Sequence, residues 1–428
     1  MLLVPSLAYT QVKPKLTAEV QSVYASSTAL YQDLHEHPEL STRETQTAAK
    51  LATQLRELGY DVTTGVGGTG VVGVLKNGPG PTVMLRTELD ALPVVENTGL
   101  SFASKVRTKD NAGADVGVMH ACGHDLHMAA WMGTARIMAG NRKTWSGTLV
   151  LIGQPAEEAG GGAKAMINDG LLTRFPRPDF AFAVHDDARR PSGEVAFHAG
   201  PALSNSNSLT IHIFGRGGHG ARPEMTIDPI VIAARTVLAL QTIVSREMSP
   251  FDPAVITVGS IHGGTRPNII PDEVVLQVTV RSFTQAVRQH LLTSIDRIVK
   301  AEALAAGAVK EPVIDNDASG TALVNDSALT RRIGSALVRE LGPTRAVQGE
   351  AEMVSEDFSE FPLAGIPSLQ LRVGAVEPGK WAAAAKSGAI LPSLHSSEFA
   401  PDLEPTLTTS IQAEVVALRE LMGPARLR

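Results

Sequence analysis

The sequence predicts an α/β protein of two domains, in which a mixed-sheet domain is interrupted by a smaller βαββαβ domain. Three observations predict it. The chain has 428 residues, more than one hydrophobic core usually serves. Apolar, β-branched runs alternate with segments of helical period up to residue 185, as in a sheet flanked by helices. From about Ala202 the order becomes strand, helix, strand, strand, helix, strand, and after residue 315 the earlier style returns, so the second domain reads as an insertion. The expected division is 1–201 and 316–428 for the first domain and 202–315 for the inserted one.

The elements follow in order. Ser41-Thr42-Arg43-Glu44 has the spacing of a capping box, and "TQTAAKLATQLRELGY" places Ala49, Leu51, Leu55 and Leu58 at helical spacing before Gly59, a helix with its stop. Strands are expected at 71–75 and 82–86 on either side of "KNGPGP", the second running into Glu88-Leu89-Asp90,. A helix near 127–139, a strand at 147–153, a glycine-rich turn into a helix near 163–168 and a strand at 179–185 come next. Acids and histidines recur at the strand ends, the rim where open α/β sheets bind ligands. The insertion offers strand "LTIHIFGRG", a helix near 227–246, strands "AVITVGSI" and "EVVLQVTVRSF", a helix near 284–305 and "PVID". "SLQLRVG" and a helix near 404–421 close the chain. Residues 65–70, "GVGGTG", match G-x-G-x-x-G. Strand rather than helix follows them, so no helix N-terminus faces a pyrophosphate and a glycine-rich hairpin is expected instead.

Composition narrows the function classes. Apolar residues make up 43%, charged residues 19%, and 38 Lys+Arg against 44 Asp+Glu leave a net charge of −6. This is a soluble globular balance with no basic excess for a nucleic-acid partner. The single cysteine, Cys122, excludes an intrachain disulfide and leaves the compartment open. The start, "MLLVPSLAYTQ", is apolar without a basic beginning, and fits the remnant of a secretory signal as well as it fits a frayed tail. Elsewhere no uninterrupted apolar run reaches about 18 residues, so no membrane span is expected.

The chemistry gathers in a few short stretches. In "VMHACGHDLH", three of the twelve histidines lie within five positions of Cys122. Gly123 permits a tight turn through which Cys122 and His124 can reach one cation; a lone cysteine is also often a small buried hydrophobe. Glu157 and Glu158 follow a strongly apolar strand, where adjacent carboxylates need partners. One can bind a metal while the other faces the water it activates; the bland alternative is a solvated pair at a helix start. His185 ends the apolar "FAFAVH" and His395 lies in "PSLHSSEF". Each alone reads as a structural histidine. Together the five groups suffice for a site of two metals.

The stretches "HPELSTRETQTA", "RTELDALPV", "MHACGHDLHMA", "GQPAEEAGGGAKAMINDG", "AVHDD", "GRGGHGARP", "GGTRPNIIPD", "SEDFS" and "LHSSEF" resemble, in order and interval, those of the M20 metallopeptidase family. The match is to its amidohydrolase branch of hippurate, indole-acetyl-amino-acid and N-acyl-amino-acid hydrolases, over about residues 25–420. The resemblance implies a mixed-sheet metallohydrolase domain with an inserted ferredoxin-like dimerisation (lid) domain. It implies that Cys122, His124, Glu158, His185 and His395 bind two divalent cations, with Glu157 as general base and Asp90 orienting a neighbouring ligand. His219 would reach the site of a partner subunit in a homodimer and hold the developing oxyanion. A mixed S/N/O donor set suits Zn²⁺ or Mn²⁺ and admits Co²⁺ or Ni²⁺. Asn268 and Arg281 are candidates for the amide and carboxylate of a small-molecule substrate, although Arg281 fits a structural salt bridge equally.

Two departures stand out. Glu88 occupies the place of a common Asp, and "DDARRPSGEV" follows His185 where many relatives are proline-rich. His120 and His127 read as partners that hydrogen-bond or pack around ligands. His35 and His37 shape a helix-to-loop connection, and Met353 and Phe358 suit core packing better than an acyl pocket. A carboxypeptidase or dipeptidase stays open as a same-class alternative, and a nucleophilic thiol hydrolase built on Cys122 as a different one.

Overall fold

The computed structural model describes residues 14–423; the apolar stretch at 1–11 lies outside the described residues. Two compact units are present. One comprises the chain up to Gly200 with Val324–Glu350 and the part from Glu360 onward, the other Pro201–Leu323 with Ala351–Ser359.

The first unit begins with helices α1 (Pro14–Glu36) and α2 (Thr45–Glu57), strands β1 (Asp61–Val66), β2 (Gly70–Asn77) and β3 (Thr82–Glu88), and the small hairpin β4 (Arg107–Lys109) and β5 (Asp115–Gly117). Then come α3 (His124–Gly140), β6 (Gly147–Gln154), α4 (Gly162–Asn168), α5 (Leu171–Arg174), β7 (Phe180–Pro191) and β8 (Val195–Phe197). The second unit contributes β9 (Gly200–Leu203), β10 (Asn205–Phe214), β11 (Gly218–His219), α6 (Pro229–Thr242), β12 (Ala254–Gly263), β13 (Ile269–Ile270), β14 (Glu273–Ser282), α7 (Gln285–Ala305) and β15 (Val313–Gly320). The chain returns through β16 (Leu323–Asn325), α8 (Ser327–Leu341), β17 (Ala346–Gln348), α9 (Glu360–Leu363), β18 (Ser368–Val376), α10 (Pro378–Ser387) and α11 (Leu403–Met422).

The large sheet has eight strands in the order β1-β2-β6-β3-β7-β18-β8-β17. Its centre, β6-β3-β7-β18, is parallel, and antiparallel pairings on both sides make the sheet mixed. The "GVGGTG" stretch is the turn of the antiparallel β1–β2 hairpin, as its following strand requires. Leu85, Leu151, Phe182, Leu369 and Leu371 bury one face of the sheet in a core shared with α1, α3 and α11. Helix α3 is buried on nearly all sides, as a helix apolar all round must be. Trp131 lies at its centre and donates Nε1–H to the Leu85 carbonyl at 3.2 Å.

One buried acid sits in that core. Glu414 of α11 accepts a hydrogen bond from Thr134 Oγ1 at 2.5 Å, and burial pushes its pKa up to about 8. The folded chain therefore keeps a proton that an unfolded glutamate loses near about 4.3. That stability is full below the unfolded value and is lost as pH rises through the folded one. Glu414→Gln keeps the acceptor for Thr134 and is expected to raise the melting temperature near about pH 9 and leave it almost unchanged near about pH 5. Thermal melts at both pH values check this, and a lower melting temperature at the alkaline value contradicts it.

The second unit is a four-stranded antiparallel sheet in the order β12-β14-β10-β15. Alternate residues Leu209, Ile211 and Ile213 of β10 and Val274, Leu276, Val278 and Val280 of β14 are buried with Ile232 and Leu240 of α6 and Leu291, Ile295 and Val299 of α7. This is the period-2 strand against the helical stripe. Asp228 caps α6 by accepting the Ile230 N–H, with Pro229 at the first helical position,. β15 runs past the expected 315 boundary to Gly320, paired with β10 on both sides of a bulge after Asn316. The return segment also adds a bridge from Leu203 to Glu352. The stretch Pro229–Glu247 has the length and apolarity of a membrane span, but its Ile232–Leu240 stripe packs on the sheet.

Candidate metal centre

The parallel strands β6, β3 and β7 deliver their carboxyl ends to one edge, which makes a rim for chemistry. Leu89-Asp90 leaves β3, Glu157 and Glu158 follow β6, and His185 lies on β7. His185 does not end its strand, contrary to the sequence expectation. β7 continues to Pro191 because β18 pairs with it past Asp187, whereas pairing to β3 stops at Ala183. His185 thus stands just beyond the point where one neighbour leaves. Gly123, with φ of 75°, turns the chain into α3, whose first residue is His124. His395 is held beside this turn by its N–H to the Ala121 carbonyl at 2.8 Å.

The donors converge. His395 Nε2 is 3.2 Å from Cys122 Sγ and 3.3 Å from Glu158 Oε1. Cys122 Sγ is 3.7 Å from His185 Nε2, and His124 Nε2 is 4.0 Å from Glu158 Oε1. Cys122, Glu158 and His395 offer ligand atoms within 4.8 Å of one another, and so do His124, Glu157 and Glu158. Glu158 is common to both groups. Asp90 ties them together: His124 Nδ1 donates to its carbonyl at 2.8 Å, and its Oδ2 accepts from the Glu158 N–H at 2.9 Å and from Ser41 Oγ at 2.6 Å.

The backbone around these groups is strained. Among the described residues, three that are not glycine have positive φ: Thr42, Ala156 and His395, each costing about 1–3 kcal/mol that surrounding contacts must offset. Glu44 provides part of that support, since one carboxylate oxygen accepts the Thr42 N–H at 2.9 Å and the Ala156 N–H at 2.8 Å. This overturns the capping-box reading. Ser41 is taken by Asp90 and Glu44 is buried under the loop that carries Glu157, so neither side chain caps α2. Glu39 does it instead, accepting from the N–H groups of Gln46 and Thr47, worth roughly 0.3–1 kcal/mol for a carboxylate at a helix start.

A divalent cation fits this donor set. His124 Nε2 is buried and makes no hydrogen bond among the described residues, a costly state, and Glu158 Oε1 likewise accepts none, with His395 Nε2 3.3 Å away as an ion-pair neighbour. Burial pushes the Cys122 thiol well above its ordinary pKa, with the charges of Glu158, Glu157 and Asp186 adding to the rise. A cation among those carboxylates reverses that logic and favours thiolate. Burial also opposes charge on His124, but the Asp90 hydrogen bond and nearby carboxylates raise its pKa to about 10. The pocket is therefore strongly cation-attracting.

The remaining sequence candidates lie as follows. His120 is buried with neither ring nitrogen hydrogen-bonded among the described residues. His127 sits between Glu88 and Asp186. His35 bridges Asp125 at 2.7 Å and Glu96 at 2.9 Å; burial opposes its charge, yet the two carboxylates raise its pKa to about 10. His37 is exposed. In the second unit, His219 is exposed on β11 and accepts the Ala221 N–H at 3.0 Å. Gly220, next in the chain after β11, donates to the Asn268 carbonyl at 2.9 Å, which places Asn268 beside it. Arg281 donates to the Met353 carbonyl at 3.1 Å, and Phe358 is fully buried. Sequence reasoning missed Ser41, Glu44 and Asp186; the signal for Asp186 was its place directly after a histidine in a strand too apolar to spare a carboxylate.

The sequence pattern described as peptidase family M20/M25/M40 matches residues 84–387. The chain belongs to peptidase family M20/M25/M40. Within the family it is similar to the thermostable carboxypeptidase 1 of Saccharolobus solfataricus, 38% identical over 392 residues that cover 91% of this chain and 93% of that one. The hippurate hydrolase of Campylobacter jejuni is 36% identical, covering 81% and 87%. Among solved structures, a dinuclear metal-binding M20 peptidase of Bacillus subtilis superposes with a TM-score of 0.76 at 28% identity, covering 94% of this chain and 99% of that one. The chain is thus a metal-dependent hydrolase of the family's amidohydrolase and peptidase kind.

Proposed function

We propose that this enzyme hydrolyses the amide bond of N-acyl-amino acids or related conjugates, releasing a carboxylic acid and a free amino acid. Two divalent cations, Zn²⁺ or Mn²⁺ with Co²⁺ or Ni²⁺ as substitutes, would be held by Cys122, His124, Glu158, His185 and His395. The observation that carries this reading is the pair of donor groups sharing Glu158, with Glu157 a member of one of them and His185 Nε2 3.7 Å from Cys122 Sγ of the other. When bound, the cations polarise the scissile carbonyl and lower the pKa of an attacking water. Glu157 takes the water's proton and delivers it to the leaving nitrogen, without which an amide nitrogen leaves poorly. Asp90 keeps Nδ1 of His124 engaged, so that Nε2 would be the nitrogen left to hold a cation. His219 is assigned to the developing oxyanion in the site of a second copy, and Asn268 and Arg281 are the candidates for the substrate's amide and carboxylate. Homodimerisation is supported by the outer face of α6, where Ile230, Val231 and Leu238 are exposed, a patch that a second copy would cover.

The likeness to a carboxypeptidase supports a second reading, cleavage of short peptides with the same metals and a different pocket. A panel of N-acetyl and N-benzoyl amino acids assayed beside dipeptides separates the two. The expected result is kcat/KM at least about tenfold higher on the acyl amino acids, a preference of about 1.4 kcal/mol. The reverse order assigns the enzyme to peptides.

A further inference from the structure

Among the buried carboxylates that the hydrolytic reading does not use, Asp186 stands nearest the proposed ligands. Asp186 is fully buried, next to His185 in the chain. His185 Nδ1 donates to the Asp186 backbone carbonyl at 2.8 Å, with the Asp186 Oδ1 3.2 Å from the same nitrogen; the Asp186 N–H donates to His127 Nε2 at 2.9 Å, with Oδ1 3.2 Å from that ring. Nδ1 of His127 is 3.0 Å from Glu88, which is paired with Arg86. Behind His185 there is therefore a continuous buried line, Arg86–Glu88–His127–Asp186.

The other oxygen points elsewhere. Asp186 Oδ2 makes no hydrogen bond among the described residues and lies against Gly123, where an added Cβ would fall 2.4 Å from it. Gly123 is the turn residue between Cys122 and His124. One carboxylate thus touches the ring of one proposed ligand and the backbone that spaces two others.

We infer that Asp186, clamped by His127 and Glu88, is a positioning residue of the metal centre that fixes the His185 ring and braces the Cys122–Gly123–His124 turn. The physical reason is twofold. The Asp186 carbonyl accepts Nδ1–H and fixes the tautomer of His185, while the carboxylate 3.2 Å from the same nitrogen holds the ring plane and makes Nε2 a stronger donor. A buried negative charge one bond network away from the cations also offsets part of their charge, which an isosteric amide cannot do. Asp187 is a built-in contrast: its carboxylate is spent on Arg189 and Arg190, on the opposite side of the strand from Asp186.

The inference rests on His185 being a metal ligand, and the test keeps the two claims apart. Wild type, Asp186→Asn, Asp187→Asn and His185→Ala are titrated with Zn²⁺ against a chromophoric chelator, and the Co²⁺-loaded forms are examined by visible spectroscopy. Asp186→Asn is expected to lose about 10- to 100-fold in affinity for one ion, with a shifted Co²⁺ spectrum and unchanged melting of the metal-free protein. Asp187→Asn is expected to match wild type. An Asp186→Asn protein with wild-type affinity and spectrum, while His185→Ala loses metal, overturns the positioning role alone. Wild-type affinity in His185→Ala overturns the ligand reading as well. Should Asp186→Asn fail to fold, His127→Gln, which frees Asp186 from its clamp and leaves every ligand in place, is read in the same way: weaker metal binding supports the inference and unchanged binding overturns it.

Discussion

Glu157→Gln is expected to lower kcat by about 10²–10⁴-fold, the range for loss of a general acid-base group, while metal content and KM stay close to wild type. The amide is nearly isosteric, so the loop after β6 keeps its path, and the strained Ala156 keeps its hydrogen bond to Glu44. What disappears is the ability to accept a proton from water and return it to nitrogen. Because both transfers occur on the way through the transition state, the loss appears in kcat and in kcat/KM alike. Steady-state kinetics with metal analysis on the same samples checks this. A variant retaining full activity removes Glu157 from the mechanism, and one that loses metal instead makes it a ligand, a result its grouping with His124 and Glu158 would accommodate.

Cys122→Ser is the second large effect: metal occupancy falls first and activity follows. Serine keeps the size and the turn but exchanges a soft, readily ionised donor for a hydroxyl that gives up its proton far less readily. Chelator competition is expected to show affinity lower by at least about tenfold, in the range where metal-site substitutions act, with partial recovery of activity in excess metal. The nucleophilic-thiol alternative predicts the opposite pattern, full occupancy with no turnover. The electrostatics disfavour it. A thiol whose pKa burial and the charges of Glu158, Glu157 and Asp186 push up is a poor nucleophile, whereas beside a cation the same sulfur becomes a good ligand.

Much of this was readable in the sequence because local pattern and tertiary position agreed. The alternating apolar residues of β10 and β14, the all-round apolar α3 and the proline-led start of α6 each have one sensible burial. The donors were readable because Cys122, His124, Glu157 and Glu158 lie in short stretches with few other uses. Where the reading failed, a tertiary partner took the group that local rules had assigned. Glu44 has the spacing of a capping residue, but the Ala156 and Thr42 N–H groups, distant or strained, hold it more firmly than the helix start does. The end of β7 was misplaced for a similar reason. "DDARRP" is too polar to announce a strand, yet β18, far along the chain, supplies the ladder that extends it. For Asp186 the sequence offered only its place after a histidine, because the partners that make it a support come from α3 and, through His127, from β3.

Cys122 and His395 stand 3.2 Å apart across 273 positions of sequence, a span that contains the whole second unit. A chain leaving the ribosome has β3, β6 and β7 in hand, then completes the whole second unit before β18 exists. Since β18 fills the place between β7 and β8, one edge of the central sheet stays open through that interval, an invitation to wrong pairing. A chain that ends before β18 therefore lacks both His395 and the second neighbour of β7, and presents an unpaired strand edge,.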